Sequence, residues 1–227
     1  SKNYTEAPDF PWDIKKGVGG VFDLQLLGQG CALMFNIESY REINDIIRKT
    51  SKKSTKLVAV SKNHAKSDVL QAIDAGVAVF GENRVQEAQG KFESIKNRGN
   101  IELHLTGPLQ TNKVKQALNL FDVFQTLDRE KLAKEFAKYS DLINKKKFFI
   151  QVNTGKESSK SGIYPEETPD FISYCVTELK MPIIGLMCIP PFDEKAEPHF
   201  NLLKKIADEN HLEDLSMGMS GDFEEAI

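Results

Sequence analysis

Cysteine is scarce in this chain. Cys31, Cys175 and Cys188 are the only three, and none stands in a C-x-x-C pair. Three cysteines cannot all pair within one chain, so a disulfide scaffold is excluded and a reduced, cytoplasmic-type protein is the reading. The four histidines, His64, His104, His199 and His211, lack ligand spacing, which argues against a structural metal. Basic excess is missing too: 30 Lys and Arg face 33 Asp and Glu, a net charge of -3. That balance argues against a nucleic-acid partner. It leaves room for a small anionic ligand, because backbone N–H groups can hold a phosphate. No apolar run reaches the length of a membrane span. The opening residues 1–10 carry Glu6, Pro8 and Asp9, unlike a signal peptide.

What is present is alternation. Residues 37–49 place Ile37, Tyr40, Ile43 and Ile47 on one helical face. After a polar break comes Leu57-Val58-Ala59-Val60, a short apolar run of the kind found in strands buried on both faces. The pattern then repeats. Ser67 is expected to cap a helix that Gly76 ends, before a strand over 77–80. Asn83 is expected to cap the next helix, with Gln86 completing a capping box. Further strands are predicted at 101–105, 121–124, 148–152, 183–189 and 215–217. Helices are predicted at 111–119, 128–144, 168–179, 197–209 and from 222, with Pro169 at a favoured first-turn position. Seven strand–helix units with short connections predict an α/β fold, a (β/α)8 TIM-barrel-like domain over residues 37–227 with one strand position vacant. Residues 1–36 do not fit the alternation and are left unassigned, with two readings open: an extension, or an extra strand for the vacant position.

Ligand sites of such barrels lie at the carboxyl ends of the strands. Lys62 directly follows the first buried strand, and an amine partly withdrawn from water there is freed for attack on an aldehyde. On position alone, a solvated strand-end lysine is the plainer reading. Asn83 by local sequence is a cap, and His104 a satisfied core histidine. Residues 153–162 read as a polar loop over the site or an exposed connection. Ser216-Met217-Gly218-Met219-Ser220 precedes a helix and could form a phosphate nest or an ordinary turn.

Taken in order, several stretches resemble one family. They are Leu57-Val58-Ala59-Val60-Ser61-Lys62, Phe80-Gly81-Glu82-Asn83 with Val85-Gln86-Glu87, and His104 with Gly107-Pro108-Leu109-Gln110-Thr111-Asn112-Lys113. Gln151-Val152-Asn153, Lys160-Ser161-Gly162, Gly185-Leu186-Met187 and Leu215-Ser216-Met217-Gly218-Met219-Ser220 complete the set. Together they resemble the pyridoxal phosphate homeostasis proteins, single-barrel relatives of the amino-terminal domain of alanine racemase. The resemblance implies a fold type III PLP-binding barrel and pyridoxal 5'-phosphate as cofactor, carried as a Schiff base on Lys62. It implies that Asn83 lies beside the pyridine ring, that His104 lies on the barrel floor near it, and that Ser220 holds phosphate oxygens. Met187 and Ser216 join the cofactor-binding set.

Members of that family continue past the position of Ile227 with a strand whose arginine, glycine and threonine complete the site. A barrel without that strand is expected to leave a sheet edge open and to bind the cofactor weakly. Arg84 stands where many relatives carry tyrosine. The implied role is vitamin B6 homeostasis, by a monomer that carries the cofactor for PLP-dependent apoenzymes rather than by a catalyst, since a racemase builds its second catalytic face from a further domain. A racemase or Schiff-base aldolase is the alternative, and a scaffold without ligand is a third reading.

Overall fold

The computed structural model describes residues 37–51, 55–95, 101–219 and 221–227, together with the strand Asp23–Leu27. Eight strands form a closed barrel in the order β1 to β8. They are β1 (Asp23–Leu27), β2 (Lys56–Val60), β3 (Val79–Glu82), β4 (Glu102–Leu105), β5 (Val123–Leu127), β6 (Lys147–Gln151), β7 (Ile183–Met187) and β8 (Asp214–Met217). From β2 to β8 every pairing is parallel, as strand–helix alternation requires.

β1 differs. It runs antiparallel to both neighbours, pairing Asp23 with Val60 and Leu27 with Lys56 on one side, and Leu26 with Met217 and Leu27 with Ser216 on the other. The expected vacant position between the first and last parallel strands is therefore filled, and the edge expected to lie open is covered. Of the two readings of the leading segment, the extra strand is the one that Asp23–Leu27 adopts.

Helices connect the strands on the outside: α1 (Ile37–Thr50), α2 (Lys66–Asp74), α3 (Val85–Phe92), α4 (Val114–Leu120), α5 (Glu130–Ala137), α6 (Ser140–Ile143), α7 (Thr168–Ser173), α8 (Ala196–Glu209) and α9 (Phe223–Ala226). Two strand faces separate two apolar clusters. Leu57, Ala59, Phe80, Leu103, Phe124, Phe148 and Leu215 join the large cluster under the helices. Val58, Val60, Val123, Phe149 and Met187 form a smaller one of the opposite parity, which fills the barrel. Both faces are dry, which is why these strands read as continuous apolar runs.

Several local expectations are corrected. Ser67 is not a cap: α2 starts a residue earlier, with extended Ala65 at its N-cap and the Asp68 carboxylate accepting the Ala65 N–H at 3.1 Å. Asn83 is not a cap either. Extended Arg84 occupies that position without a side-chain cap bond, and Asn83 Oδ1 instead accepts the Thr106 hydroxyl at 2.8 Å. The helix expected over 128–144 breaks at Tyr139, whose φ of −116° and ψ of 50° are not helical. The break turns the chain so that Tyr139 and Ile143 both pack on the main core. The strand expected over 77–80 lies at Val79–Glu82, and that over 121–124 at Val123–Leu127. These shifts bring Glu82 and Gln125 into strands.

Strand packing is tight at Gly185, where a Cβ would lie 2.0 Å from the Asp214 carbonyl oxygen and 2.8 Å from the Phe149 ring. Gly185→Ala is expected to cost about 1–3 kcal/mol by overpacking, read as a lower urea midpoint. An unchanged midpoint would mean that β7 and β8 are farther apart than described.

Candidate functional site

Alternation along β2 decides what Lys62 can do. Val58 and Val60 belong to the barrel interior, and Lys62 comes two residues later, just past the carboxyl end. It is half-buried and sits in a tight turn, with the His64 N–H donating to Ser61 O at 3.2 Å. Asn63 adopts a left-handed φ of 64°, which asparagine tolerates better than most residues. The Ser61 N–H donates to Gly81 O at 2.8 Å, so the turn is anchored to β3 as well.

Asn83 follows the carboxyl end of β3 on the same rim and is half-buried. Its approach to β4 is close: a Cβ on Gly107 would stand 2.3 Å from Asn83 O, so glycine is required there. The Thr126 hydroxyl donates to Gly107 O at 2.8 Å, tying the rim on to β5. The polar loop after β6 is folded by buried Asn153, which donates to Glu157 O at 2.8 Å and accepts the Glu157 N–H at 3.1 Å. After β8, Gly218 takes a φ of 87°, and the Met219 N–H donates to the Asp222 carboxylate. A phosphate arriving at this turn would compete with that carboxylate for the N–H. Ser220 lies outside the described residues.

Met187 and Ser216 are fully buried register partners on β7 and β8. His104 is fully buried in the barrel interior. It is one link in a chain of polar groups through an otherwise apolar lumen. His104 Nε2 meets Glu102 Oε1 at 3.1 Å, Gln125 Nε2 meets His104 Nδ1 at 3.0 Å, and the Ser216 hydroxyl donates to Gln125 Oε1 at 2.9 Å. A carboxylate only accepts, so Glu102 orients the whole chain: His104 carries its hydrogen on Nε2 and accepts on Nδ1. Sequence reading missed Gln125. Its signal is a polar side chain amid Val123-Phe124-Gln125-Thr126-Leu127, a strand whose five positions are all buried.

Glu102 also accepts from Lys56 and Lys147, each at 3.0 Å, at the amino-terminal end of the barrel. Lys56, Glu102, Lys147 and Asp214 begin alternate strands, as one layer of a barrel interior does. The hydrogen bond from His104, with the two lysines, holds the Glu102 carboxyl well below the usual carboxylate range. Burial holds the His104 imidazole below its ordinary value, against the opposing pull of Glu102.

Both shifts weaken the protein in acid. A carboxyl whose folded pKa is depressed gives its full contribution above its unfolded value, near pH 4.3, and loses it as pH falls from there toward the folded value. A histidine kept neutral in the fold but protonated in the unfolded chain begins to favour unfolding below about pH 6.5. Thermal melts from about pH 7 to pH 3.5 are expected to fall in this order, with the loss below about pH 4 reduced in Glu102→Gln. Parallel profiles for the two proteins would show that Glu102 is not the group responsible.

The remaining group missed by sequence reading lies behind the rim. Glu82 is fully buried and Lys91 only 7% exposed, and the two pair at 2.9 Å between β3 and α3. Burial pushes the Glu82 carboxyl up, offset in part by hydrogen bonds from Ser61 and Lys91. The i,i+4 spacing of Glu87 and Lys91 is visible in the sequence; the burial of the ammonium is not.

Comparison with known proteins agrees with this geometry. The profile of the alanine racemase N-terminal domain matches residues 38–226. The pyridoxal phosphate homeostasis protein of Aquifex aeolicus is 38% identical over 182 residues, covering 76% of this chain and 79% of that protein. The structure of PipY from Synechococcus elongatus without PLP superposes with a TM-score of 0.72 at 31% identity, over 82% of this chain and 91% of that one. The same protein with PLP bound gives 0.70 at 30% identity, over the same shares of the two chains. Barrel, rim and sequence likeness converge: this chain belongs to the alanine racemase N-terminal domain family and, within it, to the pyridoxal phosphate homeostasis proteins.

Proposed function

We propose that this chain binds pyridoxal 5'-phosphate covalently through Lys62 and serves intracellular vitamin B6 homeostasis as a carrier. The observation that carries the proposal is the Lys62 amine on an anchored turn at the carboxyl end of a barrel strand. Attachment needs only an amine and an aldehyde: the Lys62 nitrogen adds to the aldehyde carbon, water leaves, and a carbon–nitrogen double bond remains. Asn83, Met187 and Ser216 belong to the same barrel and are proposed to line the ring, with His104 ordering Ser216 through Gln125. Ser220 is proposed to hold phosphate oxygens. The proposed binding unit is the barrel whose parallel strands come from residues 37–227 and which Asp23–Leu27 closes.

Bound pyridoxal phosphate supplies an electron sink, and the protein selects a reaction by where it puts acids and bases. Glu82 on β3 and Glu87 on α3 are both engaged by Lys91. That engagement favours holding the cofactor over transferring protons on it. The buried free thiols of Cys175 and Cys188 suit a reducing, cytoplasmic setting. Monomeric carriage to PLP-dependent apoenzymes completes the proposal.

Borohydride reduction after loading, followed by peptide mapping, tests the attachment. The label is expected on Lys62. A label on another lysine, or on none, would overturn the proposal. Amino-acid racemisation well above that of free cofactor would favour an enzyme of the racemase type instead.

A further inference from the structure

Lys62 is flanked by two residues that are both tied to one buried ammonium. Lys91, on α3, donates to Ser61 O at 2.5 Å, to Glu82 Oε1 at 2.9 Å and to Glu87 Oε1 at 2.7 Å. Three donors thus meet three acceptors, the full capacity of a lysine ammonium. The Ser61 hydroxyl adds a bond to Glu82 Oε1 at 2.5 Å, and Glu87 Oε1 also accepts the Asn63 N–H. The chain before Lys62 is therefore held by Lys91 directly, and the chain after it through Glu87.

The Glu82–Lys91 pair is buried, while Glu87 is partly exposed. Phe80 and Phe92, on the same strand and helix, are fully buried with ring centroids 5.5 Å apart. Withdrawing such charges from water is costly, and replacing a buried ion pair by apolar residues is often neutral or stabilising. Stability alone is a poor account of its presence. Its bonds to the main chain are all made at the two neighbours of the proposed attachment lysine. Ser61 directly follows β2, and Asn63 lies in the turn beyond it, so the cluster grips the backbone on both sides of Lys62.

We propose that Lys91, with Glu82 and Glu87, is a positioning device that clamps the main chain on both sides of Lys62 and thereby sets where its amine stands. The proposal rests on Lys62 being the attachment point. Glu82, Glu87 and Lys91 do not themselves touch the cofactor; they act through the geometry of the turn.

The decisive experiment loads the wild type, Lys91→Met/Glu82→Leu and Glu87→Gln with pyridoxal 5'-phosphate. It follows the rate at which the visible Schiff-base band appears and maps the borohydride label. The double variant removes the two buried charges together and leaves only the partly exposed Glu87 without its ammonium partner; circular dichroism and melting would verify that it folds. Its label is expected to stay on Lys62 while its loading rate falls on the order of 10-fold or more, since displacing a reacting group by about 1 Å can cost that much. Glu87→Gln keeps an acceptor for the Asn63 N–H and is expected to fall between the two. Hydrogen exchange at the amides of Ser61 to His64 is expected to quicken in the same order. A folded double variant that loads Lys62 at the wild-type rate overturns the clamp and leaves the attachment site standing. A wild type without label on Lys62 overturns the attachment site, and the clamp falls with it.

Discussion

Lys62→Ala is expected to abolish the visible band on mixing with pyridoxal 5'-phosphate and to leave no mass increase after borohydride reduction. Among the lysines, Lys62 stands two residues beyond Val60, with the parity of the lumen-filling residues, on a turn that β3 and α3 hold in place. Other lysines of the chain serve elsewhere: Lys56 and Lys147 pair with Glu102 at the opposite end of the barrel, and Lys91 is consumed by its three acceptors. The substitution falls outside β2 and leaves its pairing with β3 intact. A thermal melt close to wild type, taken alongside, would attribute the lost band to the amine and not to the fold. A band that survives in Lys62→Ala would transfer the site to another lysine.

Phe148→Ala is expected to be the most destabilising simple truncation, and it acts far from the chemistry. Phe148 is fully buried on the helix side of β6. Its ring stacks on Phe124 at 5.1 Å and 12°, and meets Phe136 of α5 edge-on at 4.9 Å. Phe124 in turn meets Phe136 at 4.9 Å and Phe121 at 6.2 Å. Removing one ring from such a cluster forfeits its burial and leaves a cavity that a closed barrel cannot collapse to fill, a loss of about 3–5 kcal/mol. For a domain of this size the melting temperature should fall on the order of 10 °C. Phe148→Leu retains most of the volume and should lose much less. Cofactor attachment per folded molecule should be unchanged, because the cluster faces the helices and not the lumen. A melt within about 2 °C of wild type would mean that the cavity is refilled.

Much of this molecule was legible in its residues. The run at Leu57–Val60 announced a strand dry on both faces and Phe148–Val152 a further strand, while the helical face of residues 37–49 announced part of the covering layer. Lys62 was legible as a strand-end lysine, and only the motifs around it made it the proposed attachment point. By local sequence alone Asn83 read more readily as a cap than as a ligand contact, and it is not a cap. Helix N-termini and strand carboxyl ends use the same small polar residues, and only the nearness of Thr106 from the next strand decides which bond forms. Gln125 was misplaced because the strand boundary lay two residues off, which put a buried lumen group into an imagined loop.

Periodicity and motif order by themselves determined the parallel alternation, the family and the lysine at the rim, because these depend on neighbours along the chain. Tertiary structure alone decided that Asp23–Leu27 closes the barrel antiparallel to both its neighbours, that His104 is threaded between Glu102 and Gln125, and that Lys91 is buried against the backbone beside Lys62. Each of these joins groups on different strands or helices. The free energy of a buried polar contact depends on a partner and on the exclusion of water, and both exist only once the barrel has closed.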